Sequence, residues 1–147
     1  DSTCTDRPRA TVGRLFVYGT LLPGRLRWTL LAPFVADHHL AVVPGRLFDS
    51  GRGWPVAVFA GQPGATIEPG ATDELGVPGV AVVLHADRVD EAIALLDRVE
   101  GTGVGLLRRV RVTTLACEEA WAYHHPHTVA GLVTLRSWAE VPLHAER

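Results

Sequence analysis

The sequence contains no lysine and no methionine, and it has only two cysteines. Positive charge is carried by 14 arginines against 16 acidic residues, for a net charge of −2. We read the missing lysines as a codon bias towards GC-rich triplets. Their absence removes the phosphate-cradling loop that ends in Gly-Lys-Ser/Thr. No block of basic residues is present, which argues against nucleic acid as the main partner, since phosphate binding needs a clustered basic face. No apolar run approaches the ~20 residues of a membrane span, and no signal-peptide core is visible, so no membrane partner is expected. Cys4 and Cys117 are far apart in sequence and form no Cys-x-x-Cys pair. Free thiols and a cytoplasmic location are the expectation.

Other chemistries are missing too. Ser2, Ser50 and Ser137 lack the Gly-x-Ser-x-Gly setting of a nucleophile elbow. Gly101, Gly103 and Gly105 sit between a predicted helix and a predicted strand. Dinucleotide loops run in the opposite order, so a flexible connection is the simpler reading. His124, His125 and His127 resemble a metal cluster, but neighbouring residues on a strand face opposite ways, and no carboxylate or cysteine is spaced to complete a site. A solvated strand end is expected there. No metal and no cofactor is predicted.

What remains is enough for one folded domain. With 147 residues, 47% of them hydrophobic, the chain can bury a real core. Residues 1–13 read as a loose polar tail and residues 14–147 as a single domain. Strands are expected at 14–18, 36–47 (interrupted at Pro44-Gly45), 54–59, 80–85, 106–115 and 120–125. A short helix is expected at 25–31, with Leu26, Leu30 and Trp28 inward and a stop before Pro33. Residues 61–79 carry five glycines and three prolines and read as a long loop, either functional or simply mobile. Residues 132–147 are amphipathic and ambiguous, with Trp138 expected against the body. Strands followed by one good helix and more strands give α+β: a small mixed, mainly antiparallel β-barrel flanked by helices.

The best helix runs from Asp87 to about Val99, with Asp87 as N-cap, Asp90 in a capping-box position and Gly101 just past the end. At ~100° per residue, with Val89 at zero, Ile93 lies at about 40°, Leu96 at about 340° and Ala92 at about 300°. Glu100 lies at about 20°, inside that apolar stripe. A carboxylate there is costly unless paired or protonated. The helix can end early and release Glu100 to solvent, or Arg108 or Arg109 can pair with it. The third reading is a carboxyl with a raised pKa that exchanges protons near neutral pH. A second feature is the buried run Leu15-Phe16-Val17-Tyr18, which breaks at Gly19-Thr20 and restarts at Leu21. Backbone amides of such a turn can face a ligand, because Gly19 carries no side chain.

The segment Phe16-Val17-Tyr18-Gly19-Thr20-Leu21 resembles the Tyr-Gly-Ser/Thr-Leu signature of the gamma-glutamylcyclotransferase-like family. Leu96-Asp97-Arg98-Val99-Glu100-Gly101, followed by Arg108-Arg109-Val110-Arg111-Val112, is similar to that family's helix end and next strand. Trp54-Pro55-Val56 and Ala120 to Tyr123 fit the same order, and the resemblance runs from about Arg14 to Trp138. It implies a mixed barrel with a pocket between the turn and the glutamate. It implies cyclisation of a γ-glutamyl amine or γ-glutamyl amino acid to 5-oxoproline with release of the amine, without a cofactor. Glu100 is then the general acid/base, and Tyr18, Gly19, Thr20, Leu21 and Tyr123 bind a small-molecule substrate. Leu107 stands where the family usually has a tyrosine, which keeps open a catalytically silent module that binds a small carboxylated ligand. The leaving amine and the oligomeric state are not encoded in any motif.

Overall fold

A computed structural model describes residues 13–19, 21–25, 27–50, 54–60, 76–105, 107–126 and 132–135. Cys4, Thr20, Leu26, His127, Trp138, the expected tail at 1–12 and most of the expected loop, at 61–75, lie outside the described residues.

Seven strands form one sheet: β1 (Arg14–Val17), β2 (Val35–Asp49), β3 (Pro55–Phe59), β4 (Gly76–Leu84), β5 (Arg108–Thr113), β6 (Glu119–His124) and β7 (Val133–Leu135). Their order is β3-β2-β4-β1-β6-β5, with β7 paired to the second half of β2. Every pairing is antiparallel except β1 with β6. Two α-helices accompany the sheet, α1 (Trp28–Leu31) and α2 (Val89–Val99). The result is a nearly closed mixed β-barrel with two helices.

β1 explains its own sequence. Leu15 and Val17 join the cluster that includes Leu31, Ala92 and Leu96 of the helices. Phe16 joins a second cluster, with Phe59, Val112 and Ala122, drawn from the strands. A strand buried on both faces has no polar alternation, and this one reads as a continuous apolar run.

Closure depends on β2. Its first half pairs with β4 as far as Pro44, and from Gly45 onward it pairs with β3. Pro44-Gly45 is therefore a corner within one 15-residue strand, where the sequence suggested an interruption. The Pro44 carbonyl accepts from the Ala60 N–H at 3.1 Å, so the corner stays within the hydrogen-bonded frame. β3 is thereby carried round to the end of β6. The His125 N–H donates to the Ala57 carbonyl at 2.8 Å, and the Phe59 N–H donates to His124 Nδ1 at 3.2 Å.

Several local expectations change. The helix after the opening turn is shorter, and Leu31 is buried while Leu30 is exposed. The chain then continues through Pro33 in a 3-10 turn, Ala32–Phe34, because a proline near the start of a helical turn gives up no needed donor. Asp87 lies within another 3-10 turn, Ala86–Arg88, and no side chain caps α2. Residues 76–79 belong to β4, and β7 lies in the segment that gave no clear pattern. Val133–Leu135 is too short for periodicity to reveal; pairing with β2 creates it. Cys117 is disulfide-bonded, contrary to the free thiol read from spacing, since separation in sequence says nothing about proximity in space. The argument from free thiols to a cytoplasmic location lapses with it. Among the described residues, no helix is long and apolar enough to cross a membrane.

His124 is not at a solvated strand end: it is 1% exposed. Burial lowers its pKa to about 4, helped by the charges of Arg108 and His125. The folded state thus binds this proton less readily than the unfolded chain, so stability is lost as pH falls from about 6.5 through about 4. His124→Gln keeps an acceptor for Phe59 but does not titrate. Thermal melts from pH 7 to pH 4 should show a smaller loss for this variant than for the wild type.

Candidate active site

The helix end sets the geometry. α2 stops at Val99, and Glu100 follows with φ −88° and ψ −1°, still close to helical. Its N–H donates to the Leu96 carbonyl at 2.8 Å, so the residue keeps its place on the helical wheel. Gly101 then turns left-handed, with φ 72°, a conformation that glycine adopts without strain. The carboxylate is thereby left on the apolar side of α2 while Arg98 is exposed.

That side opens on a cavity of about 490 Å³. Glu100 lines it together with Tyr18, Gly19, Leu21 and Tyr123. The structure thus gathers five of the six residues singled out from the sequence; the sixth, Thr20, is outside the described residues. Burial raises the Glu100 pKa to about 7, and the nearby Arg27 charge opposes the shift. The carboxyl is therefore divided between its two forms near neutrality. It does not pair with Arg109, which instead binds Asp97 at 3.0 Å and lies 4.5 Å from the Trp121 ring centroid.

The tyrosines are held by hydrogen bonds between neighbouring elements. The Tyr18 hydroxyl donates to the Tyr123 carbonyl at 2.7 Å, and the Tyr123 hydroxyl donates to Asp97 Oδ1 at 2.8 Å. Burial pushes both phenols far above their ordinary pKa, so they stay neutral. Asp97, one turn before Glu100, thus joins Tyr123 to Arg109. Gly19 has a role that the sequence did not reveal: a Cβ there would collide with the ring of Pro55. Its small size lets β3 close against the turn. The Gly19 carbonyl accepts from the Leu22 N–H at 2.9 Å, which shapes the turn itself.

Sequence reasoning missed several wall residues, including Arg27, Ser50, Trp54, His125 and Leu132. Of these, Trp54 lies in the Trp54-Pro55-Val56 segment that fits the family order; the others carried no usable signal. Leu107 is buried and also lines the cavity, so its lack of a hydroxyl is felt there. Among the described residues, no group of three or more His, Cys, Asp or Glu side chains could hold a metal ion.

The fold and site define a class: a small mixed barrel whose cavity contains a carboxyl at a helix end beside a Tyr-Gly turn. Residues 15–140 match the family model described as gamma-glutamyl cyclotransferase, AIG2-like, and the chain belongs to that family. A sequence comparison with curated proteins gives no match. Solved structures show the same fold. An AIG2-like protein from Mus musculus superposes with a TM-score of 0.63 at 15% identity, covering 94% of this chain and 95% of that one. An uncharacterized protein from Pyrococcus horikoshii gives 0.58 at 20% identity, covering 91% and 95%. An allophanate hydrolase from Kluyveromyces lactis gives 0.57 at 14% identity, covering 91% of this chain but 22% of that one.

The raised pKa of Glu100 has a measurable cost. The folded state holds this proton more tightly than the unfolded chain, so stability falls as pH rises from about 4.5 through about 7. Glu100→Gln removes the titration. Denaturant unfolding at pH 4 and pH 8 should show the variant gaining on the wild type at the higher pH by roughly 2 to 3 kcal/mol.

Proposed function

We propose that this protein cyclises the glutamyl group of a γ-glutamyl amine or γ-glutamyl amino acid to 5-oxoproline and releases the amine. The observation that carries the reading is Glu100, a carboxyl with a pKa of about 7 on the wall of the cavity that the Tyr18-Gly19 turn also lines.

The chemistry follows from the substrate. Its α-amine attacks its own γ-carbonyl, and the new C–N bond closes a five-membered lactam. The bond from that carbonyl to the leaving amine breaks. The amine must lose a proton to attack, and the leaving nitrogen must gain one. Glu100 as carboxylate takes the first proton and as acid returns it, so a single group serves both steps. A pKa near the working pH suits that double task. Backbone amides at Gly19, Thr20 and Leu21 are suited to hold the carboxylate or the developing oxyanion. Tyr18 and Tyr123 then shape the wall. The cavity can hold the reacting ends together, which favours internal attack. The steps need no nucleophilic side chain and no cofactor. A cytoplasmic setting would suit small γ-glutamyl metabolites.

The second reading is a silent binding module, favoured by Leu107 in place of a hydroxyl-bearing residue. The two separate cleanly. A panel of γ-glutamyl amines and amino acids, assayed for 5-oxoproline, should yield product with at least one member. Glu100→Gln should lower kcat by at least 100-fold with the fold intact. The wild-type rate should rise with pH through about 7, as the base form appears. Absence of product from every substrate, or full activity in Glu100→Gln, would sink the catalytic reading.

A further inference from the structure

The cavity contains a cation that the proposed reaction has not used. Arg27 lies just before α1 on the chain segment that leaves the Tyr18-Gly19 turn, and its side chain lines the same cavity as Glu100. It is half-buried, and its charge is felt at the Glu100 carboxyl.

Substrate chemistry shows where such a charge is needed. In a γ-glutamyl compound the attacking amine and the α-carboxylate sit on the same carbon. An amine delivered to Glu100 therefore brings a carboxylate into the neighbourhood of Glu100. While Glu100 is the base, its carboxylate and the α-carboxylate face a single ammonium, and once the proton has moved the α-carboxylate stays charged, so one negative charge in a partly desolvated cavity lacks a counter-charge throughout. The amides of the turn carry partial charges only, and they are also wanted by the oxyanion. The leaving amine, by contrast, departs from the far side of the γ-carbonyl, several bonds away from the α-carbon.

Resting on the cyclotransferase reading, we infer that Arg27 is a substrate-binding residue that holds the α-carboxylate of the glutamyl group, leaving the turn amides for the oxyanion. The product, 5-oxoproline, keeps that carboxylate and is held in the same way. Arg27 therefore selects for the glutamyl half of the substrate and is indifferent to the amine. A guanidinium suits the task because it stays charged and presents a planar fork to a carboxylate.

The test uses the product and its parent lactam, pyrrolidone, which lacks the carboxylate. Calorimetric titration of the wild type should show 5-oxoproline binding about 10- to 100-fold more tightly than pyrrolidone. Arg27→Met should remove most of that difference while leaving pyrrolidone binding unchanged, which also reports that the cavity is intact. Arg27→Lys, a milder change for folding, should retain part of the difference. In turnover, Arg27→Met should raise KM to a similar extent for every γ-glutamyl substrate, whether or not the released amine carries a carboxylate. An unchanged preference for 5-oxoproline in the Arg27 variants overturns the inference. So does a rise in KM confined to substrates whose leaving amine is anionic, which would place Arg27 against the leaving group. A wild-type protein that neither binds 5-oxoproline nor forms it overturns the cyclotransferase reading itself, and this inference with it.

Discussion

The site depends on where a helix stops. Glu100, the residue just past α2, still keeps near-helical dihedrals, and Gly101 turns the chain away immediately afterwards. One residue fewer in the helix would release the carboxyl from the apolar face. One turn more would carry the chain past the cavity. The placement is expensive in solvation, and that expense moves the carboxyl from its ordinary range to about 7. Cost and capability have the same origin. A carboxylate paired with an arginine would be cheaper to fold and less able to exchange protons.

The surrounding structure keeps such a pair from forming. Arg109, a few residues beyond Glu100, is engaged by Asp97 and stacked over Trp121. Asp97 also accepts from the Tyr123 hydroxyl, and the Tyr123 carbonyl accepts from Tyr18. One chain of contacts thus ties α2 to β5, β6 and β1. It satisfies the polar ends of two buried tyrosines while engaging Arg109, one of the two arginines that open β5. Arg27 lines the cavity with Glu100, and its charge tempers the pKa rise without cancelling it.

Barrel closure brings the remaining wall into place. β2 changes partner at its corner and delivers β3 to the end of β6, where the buried His124 ring accepts from the Phe59 N–H. Pro55, at the start of β3, packs on the bare face of Gly19. The glycine at the centre of the family-like signature therefore has a packing reason as well as any ligand-facing one. Trp54 and Ser50 reach the cavity only because this closure happens.

The sequence by itself determined the elements with strong local signals. The doubly buried run of β1, the apolar stripe of α2 and the odd position of Glu100 on it follow from side-chain period alone, which is a property of consecutive residues. The family-like motifs then point to the turn and the glutamate as a pair. Tertiary structure decided what period cannot express. Val133–Leu135 is a strand because β2 offers it an edge. Pro44-Gly45 is a corner because two different partners meet there. His124 is buried because the barrel closes over it, and Cys117 is disulfide-bonded, which spacing along the chain does not express. Arg27 belongs to the cavity through folding alone: its sequence neighbours describe a short surface helix, and the tertiary structure sets it on the same cavity wall as the carboxyl.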